Sequence, residues 1–81
     1  MTQMVTVRLF AVLREMAGAA SVEAEGASVG EVVRSLNERF GEAFAAVAAR
    51  SSVLVDEERA SLETPLEGDE EVALLPPVSG G

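Results

Sequence analysis

The sequence contains no cysteine, no histidine and no lysine, and each absence excludes a kind of chemistry. Without cysteine there is no disulfide, no thiolate nucleophile and no sulfur ligand for zinc. Without histidine the chain lacks the commonest general base and a common metal ligand. Without lysine it can form no Schiff base and has no phosphate-binding lysine of a P-loop. We therefore expect that the chain does not catalyse a reaction alone and that it binds no metal ion or cofactor.

Aromatic residues and long apolar runs are also scarce. The three aromatic residues are all phenylalanine, so Val, Leu, Ala and Met must build most of a core. No apolar run approaches the roughly 18 residues of a membrane span, and the first residues lack the order of a signal peptide. Because 81 residues with 48% hydrophobic content suit one packed domain, we expect a single cytoplasmic domain with no membrane partner.

Acidic residues dominate the charge, with 14 acids against six arginines and a net charge of −8. This balance disfavours nucleic acid and anionic lipid as partners, because both are negatively charged. It serves solubility, or it steers the chain toward basic surfaces of protein partners, since complementary charge raises association rates.

The first 25 residues predict two antiparallel strands. Residues 4–10 alternate with period two and residues 21–25 alternate again, with Val22 and Ala24 inward. Between them, residues 11–17 can form a short helical turn that Gly18 ends. The first strand has two faces: Val5, Val7 and Leu9 on one, and Thr6, Arg8 and Phe10 on the other.

The main helix is predicted to begin at Ser28. The S-x-x-E pattern from Ser28 to Glu31 is a capping box, in which each side chain satisfies a free amide of the first turn. Gly41 is the natural end of this helix. The apolar side chains that follow the cap share one face: Val29, Val32, Val33, Leu36 and Phe40.

The second half predicts a further helical turn and two or three strands. Residues 42–49 are rich in alanine and favour helix, with Phe44 and Val47 inward. Residues 52–55 predict a strand, residues 56–58 its polar turn, and residues 59–60 can form a short return strand. We expect Leu62 and Leu66 to pack at the edge of the core. Residues 70–75 predict the last strand, with Val72 and Leu74 inward.

This order of elements indicates an α+β fold. If the last strand lies beside the first as a central parallel pair, the result is a ubiquitin-like β-grasp, a mixed sheet packed on one main helix. Residues 1–75 would form the β-grasp domain, and residues 76–81 an extended, flexible C-terminal tail.

The tail ends in a dipeptide without side chains. It consists of Pro76, Pro77, Val78, Ser79, Gly80 and Gly81. Prolines cannot continue a sheet ladder and favour extended geometry, so the tail should project from the body by up to about 20 Å. Its tip can enter a tunnel that is too narrow for larger residues. An inert, frayed terminus is the alternative interpretation.

The carboxylate of Gly81 is the candidate reactive group. A carboxylate is a poor electrophile, but transfer of AMP from ATP makes it a mixed anhydride that a sulfur or nitrogen nucleophile can open. Because the chain has no nucleotide-binding motif, a separate enzyme must supply ATP, the metal ion and the nucleophile.

The chain resembles the small subunits of molybdopterin synthase, which are ubiquitin-like sulfur carriers. The resemblance spans the full length and is carried by VTVRLFA at residues 5–11, LRE at 13–15 and GDEEVALLPPVSGG at 68–81. It implies that Gly81 is adenylated by an adenylyltransferase similar to ubiquitin-activating enzymes, which uses ATP and Mg²⁺. A persulfide-derived sulfur then produces a C-terminal thiocarboxylate.

The resemblance also implies a partner and a product. The tail would insert into the large synthase subunit, which places two sulfurs on cyclic pyranopterin monophosphate in molybdenum cofactor biosynthesis. Two small and two large subunits are the implied assembly.

Four side chains near the start of the tail are candidates for binding partners. Phe10 and Leu75 are predicted on the outward face, where exposed large apolar residues suit a docking patch. Arg8 and Arg14 can pair with acidic groups of a partner. Placement at the core edge is the alternative for the two apolar residues, and a solvated surface position is the alternative for both arginines.

Three other functions remain open at this stage. The chain could carry sulfur for cysteine, thiamin or tRNA thiolation. It could instead be a ubiquitin-like modifier whose Gly81 forms isopeptide bonds with lysines of target proteins. A plain interaction module with an inert tail is the third alternative.

Overall fold

The computed structural model describes residues 4–77, which form five strands and three helices. In chain order they are β1 (Met4–Leu9), α1 (Ala11–Ala17), β2 (Ser21–Glu25), α2 (Val29–Phe40), α3 (Glu42–Ala48), β3 (Ser52–Val55), β4 (Glu58–Ala60) and β5 (Glu71–Leu75).

The five strands make one mixed sheet in the order β2-β1-β5-β3-β4. β1 pairs antiparallel with β2 and parallel with β5, and β5 pairs antiparallel with β3. The predicted central parallel pair of first and last strands is therefore confirmed. With α2 lying across one face of the sheet, this is the expected β-grasp architecture.

The core lies between that face of the sheet and the helices. The period-two alternation of β1 and β5 buries every second side chain, because successive residues of a strand point to opposite faces. α2 contributes the apolar face that its helical spacing predicted. The buried residues at the centre are Val7, Leu9, Val29, Val32, Leu36, Val72 and Leu74.

The cap of α2 is formed largely as predicted. The Oγ of Ser28 accepts a hydrogen bond from the Glu31 amide at 3.3 Å. The Glu31 side chain reaches back one residue further than in a standard capping box, and accepts from the Ala27 amide at 2.9 Å. Gly41, with φ of 98°, ends the helix as expected.

Two short helices accompany the main helix. α3 buries Phe44, whose ring lies 5.1 Å from the ring of Phe40 between centroids. α1 buries Leu13 and ends at Gly18, which adopts the left-handed conformation predicted for a stop. Val12 and Met16 of α1 are 39% and 38% exposed, so this helix presents apolar side chains outward as well as inward.

The structure corrects several element boundaries and one packing prediction. Phe10 follows β1 as the N-cap of α1, and Glu70 precedes β5. Glu58 belongs to β4, because Asp56 and Glu57 complete the hairpin turn with positive φ angles.

Leu66 is buried as predicted, but Leu62 is 58% exposed, so its predicted packing at the core edge is wrong. The contact of Leu62 with α2 is made by its backbone instead: the Leu62 carbonyl accepts a hydrogen bond from the Gly30 amide at 2.8 Å. Within residues 4–77, no helix has the length and apolar character needed to span a membrane.

Candidate functional site at the start of the C-terminal tail

The tail leaves the body from the centre of the sheet. Parallel pairing places Leu9 beside Leu74, so the two central strands β1 and β5 finish at the same end of the sheet. Pro76 and Pro77 follow there and are the last residues that the structure describes. The predicted reactive residue Gly81 and its neighbours Val78, Ser79 and Gly80 lie outside the described residues. Four residues beyond Pro77 span at most about 14 Å.

The strand register assembles a mixed apolar and basic row across the outward face of the sheet. Arg8 is paired with Ala73, Ala73 with Leu54, and Leu54 with Arg59. Ala73 and Leu54 are half-buried, while both arginines are exposed. The row therefore has an apolar centre with a guanidinium on each side, and the face remains uncovered by other elements of residues 4–77.

Leu75 lies one step closer to the tail than this row and pairs with Ser52 of β3. Leu75 is half-buried, and so is Phe10, which follows β1 at the same end of the sheet. The Arg8 guanidinium carbon lies 5.5 Å from the centre of the Phe10 ring, a cation–π contact worth about 0.5–1 kcal/mol at an exposed site. The structure thus brings Arg8, Phe10 and Leu75 to one region.

Arg14 is exposed on α1 rather than on the sheet. Its backbone carbonyl accepts the Gly18 amide at 2.9 Å, which fixes the last turn of α1. The structure therefore assigns Arg14 to a different element from the other three candidate partner-binding residues.

Sequence reasoning missed the other members of the row, which are Leu54, Arg59 and Ala73. Alternation in residues 52–55 could have placed Leu54 opposite the buried Val53. It could not show that β3 lies next to β5, because strand order depends on contacts between distant segments.

The opposite end of β5 is acidic and tightly turned. The Glu70 carboxylate accepts the Gly68 amide at 2.9 Å and the Glu67 amide at 2.8 Å. These backbone donors hold the pKa of Glu70 below its ordinary value, because they stabilise the ionised form. Within residues 4–77, no three acidic side chains converge closely enough to hold a metal ion.

The model of the ThiS family matches residues 7–81, which includes all of residues 76–81. No curated protein sequence matches the chain.

Several solved structures share the fold over almost the whole chain. Small archaeal modifier protein 1 from Methanosarcina acetivorans is 30% identical, with a TM-score of 0.89 over 100% of this chain and 99% of that one. The Amycolatopsis orientalis BexX/CysO complex contains a chain that is 30% identical, with a TM-score of 0.79 over 95% and 99%. A putative molybdopterin converting factor subunit 1 from Pyrococcus furiosus is 26% identical, with a TM-score of 0.81 over 94% and 99%.

Proposed function

Because the chain belongs to the ThiS family of ubiquitin-like sulfur carriers and modifiers, we propose that it carries sulfur as a thiocarboxylate on Gly81. The observation that carries this proposal is the extent of the family match, which runs through the last residue of the tail. The topology supports it, because β5 is a central strand and the tail therefore leaves from the middle of the sheet, beside the outward face that a partner can contact.

The proposed chemistry proceeds in three balanced steps. A carboxylate oxygen of Gly81 attacks the α-phosphorus of ATP, and pyrophosphate leaves. The terminal sulfur of a persulfide then attacks the acyl carbon, and AMP leaves. A thiol reductant cleaves the resulting S–S bond and leaves the thiocarboxylate. The adenylyltransferase supplies ATP and Mg²⁺, and the persulfide donor supplies sulfur. This chain contributes only the carboxyl group of Gly81 that is activated.

For the pathway, we propose the small subunit of molybdopterin synthase. In that role the tail would enter the large subunit, and the thiocarboxylate would donate sulfur to cyclic pyranopterin monophosphate within a heterotetramer. The Pro-Pro-Val-Ser-Gly-Gly ending and the similarity to the Pyrococcus furiosus protein support this assignment. Arg8, Phe10 and Leu75 would contact the large subunit on the outward face of the sheet, and Arg14 would contact it from α1.

Two alternatives within the family have specific support. The 30% identity with a chain of the BexX/CysO complex favours a sulfur carrier for another pathway. The 30% identity and TM-score of 0.89 with small archaeal modifier protein 1 favour a protein modifier. A modifier would join Gly81 to lysines of other proteins, because this chain has no lysine on which to build chains.

The decisive experiment is intact mass spectrometry after incubation with the adenylyltransferase of the source organism, ATP, a persulfide donor and a thiol reductant. We expect a mass gain equal to one oxygen-to-sulfur exchange, localised to Gly81 by fragmentation. The control chain lacks Gly81 and should gain nothing. An unchanged mass of the full chain, or an equal gain in the control, would reject the sulfur-carrier function.

A second experiment separates the pathways. The thiocarboxylated chain is mixed with the large synthase subunit and cyclic pyranopterin monophosphate, and dithiolene formation is measured. Product formation supports the molybdopterin assignment. Absence of product together with Gly81-dependent conjugates on a denaturing gel of cell extract would support the modifier instead.

A further inference from the structure

A groove lies beside the start of the tail, on the helix side of the molecule rather than on the outward face of the sheet. We call it the tail-root groove. It has a volume of about 490 Å³, within the range of ligand pockets. Its walls come from three parts of the chain: Val12 of α1, Ala46 and Val47 of α3 with the following Arg50, and the tail residues Pro76 and Pro77.

The groove is mostly apolar but open to solvent. Val12 is 39% exposed although it is a large apolar residue, and Ala46 is also exposed. Val47 is half-buried because it also packs against the core. Arg50 is exposed and provides a positive charge at one side of the groove. An apolar surface with one flanking guanidinium is suited to an apolar group that adjoins an anion.

The distance from Pro77 to Gly81 places a partner that acts on Gly81 close to this groove. Gly81 is four residues beyond Pro77, and four residues span at most about 14 Å. An enzyme that holds Gly81 in a recess about as deep as this span brings the rim of the recess to Pro77. Because Pro76 and Pro77 form one wall of the tail-root groove, the same rim lies against the groove.

The charge distribution identifies the chemistry of that rim. Three segments at this end of the sheet, residues 8–21, 46–53 and 72–77, contain three arginines and one acid, Glu15, and β4 also ends here, with Glu63 three residues beyond it. At the other end, strand register and turns gather eight acids: Glu25, Asp56, Glu57, Glu58, Glu67, Asp69, Glu70 and Glu71. The chain is acidic overall but basic where its tail begins, so it favours an acidic partner surface there.

We propose that the tail-root groove binds an apolar side chain of the adenylyltransferase, flanked by a carboxylate that pairs with Arg50, at the mouth of the channel by which that enzyme takes up residues 78–81. This inference rests on the proposed sulfur-carrier function and adds a second contact on the helix side of the tail. The partner would then hold the start of the tail from two sides, with the outward face of the sheet forming the other contact.

The test uses two substitutions in the groove and a matched control for each. Val12→Glu places a negative charge in the apolar groove, and Leu62→Glu makes the same change at an exposed leucine elsewhere. Arg50→Glu reverses the charge beside the groove, and Arg34→Glu makes the same reversal on the exposed side of α2. Circular dichroism and urea unfolding verify that all four variants fold.

Affinity for the adenylyltransferase of the source organism is measured by isothermal titration calorimetry with the full chain. We expect Val12→Glu to weaken binding by about tenfold or more, and Leu62→Glu by less than about twofold. Arg50→Glu should lower the affinity and its dependence on salt in titrations at two salt concentrations, because a charge pair is lost. Arg34→Glu should leave both close to those of the unmodified chain.

Two results would overturn the inference. If the groove variants bind the enzyme as their controls do, while the unmodified chain acquires sulfur, this inference fails and the proposed function stands. If sedimentation equilibrium shows a dimer that Val12→Glu dissociates, and enzyme binding is unchanged, the groove is instead a contact between two copies. Failure of the unmodified chain to acquire sulfur rejects the proposed function itself, so the two failures are distinguishable.

Discussion

Leu9 of β1 and Leu74 of β5 lie side by side in the parallel register at the centre of the sheet, and both are buried against the helices. The residues that follow them, Phe10 and Leu75, are half-buried at the end of the sheet where the tail begins. Leu9 and Leu74 therefore hold the central strands against the core, while Phe10 and Leu75 are accessible to a partner at the start of the tail.

This alternation predicts a large difference in stability between two adjacent leucines. Leu74→Ala should lower the free energy of unfolding by about 3 kcal/mol, because it leaves a cavity in the core. Leu75→Ala should cost less than about 1 kcal/mol, since its side chain is only half-buried on the opposite face. Urea unfolding followed by circular dichroism measures both. Equal losses would mean that the two leucines do not lie on opposite faces as described.

Leu75 is also predicted to matter for docking. Leu75→Glu should weaken binding of the large synthase subunit by about tenfold or more, because it places a charge in the apolar part of the outward face. Leu75→Met is the matched control and should bind nearly normally, since it keeps size and apolarity. Calorimetry gives the affinities. Normal affinity of the folded Leu75→Glu chain would remove this residue from the interface.

Gly26 is predicted to resist substitution because of space rather than backbone conformation. A Cβ added there would lie 2.7 Å from the Val32 backbone nitrogen and 2.8 Å from a Val32 methyl carbon. Gly26→Ala should therefore destabilise the fold by about 1–3 kcal/mol.

Gly18→Asn provides the comparison, because nothing lies within 4 Å of a Cβ at Gly18 and asparagine tolerates its positive φ. Thermal unfolding should show a smaller loss for Gly18→Asn than for Gly26→Ala. The opposite order would show that the turn before α2 can shift to make room.

Glu70 is predicted to make the stability depend on pH. Amide donors from Gly68 and Glu67 lower its pKa in the folded state. Its contribution is therefore complete above the ordinary glutamate pKa of about 4.3 and is lost as the pH falls through the lower folded-state pKa. The variant Glu70→Gln cannot ionise, so its deficit relative to the natural chain should be largest at neutral pH.

The measurement for Glu70 is the free energy of unfolding of both chains from neutral pH down to acid. The difference between the two should shrink as the pH falls through the folded-state pKa. A difference that stays constant over this range would show that the carboxylate charge contributes nothing to the turn.

Local patterns predicted most of the secondary structure correctly. The alternation of residues 4–10 identified the buried Val5, Val7 and Leu9, and the pattern from Ser28 to Glu31 identified the start of α2. Such signals depend on residues that are close in sequence, so no knowledge of distant contacts is needed. Leu62 shows the limit, because its segment is held by a backbone hydrogen bond with Gly30, a partner 32 positions earlier, and local spacing gives no signal for such a contact.

The candidate site was predictable only in part. The tail and the outward position of Leu75 follow from composition and alternation. The row from Arg8 through Ala73 and Leu54 to Arg59 depends on which strands are neighbours. The tail-root groove depends on the approach of α1 and α3 to Pro76 and Pro77, and single segments carry no signal for it.

By itself, the sequence determined that this chain has no Cys, His or Lys for covalent chemistry, and that the prolines at 76 and 77 are followed by the two glycines at 80 and 81. These are facts of composition and order, and folding does not alter them. Only the tertiary structure decided that β1 and β5 end side by side, and that an acidic chain is basic where its tail begins. Both depend on contacts between residues far apart in sequence, which local propensity and periodicity do not encode.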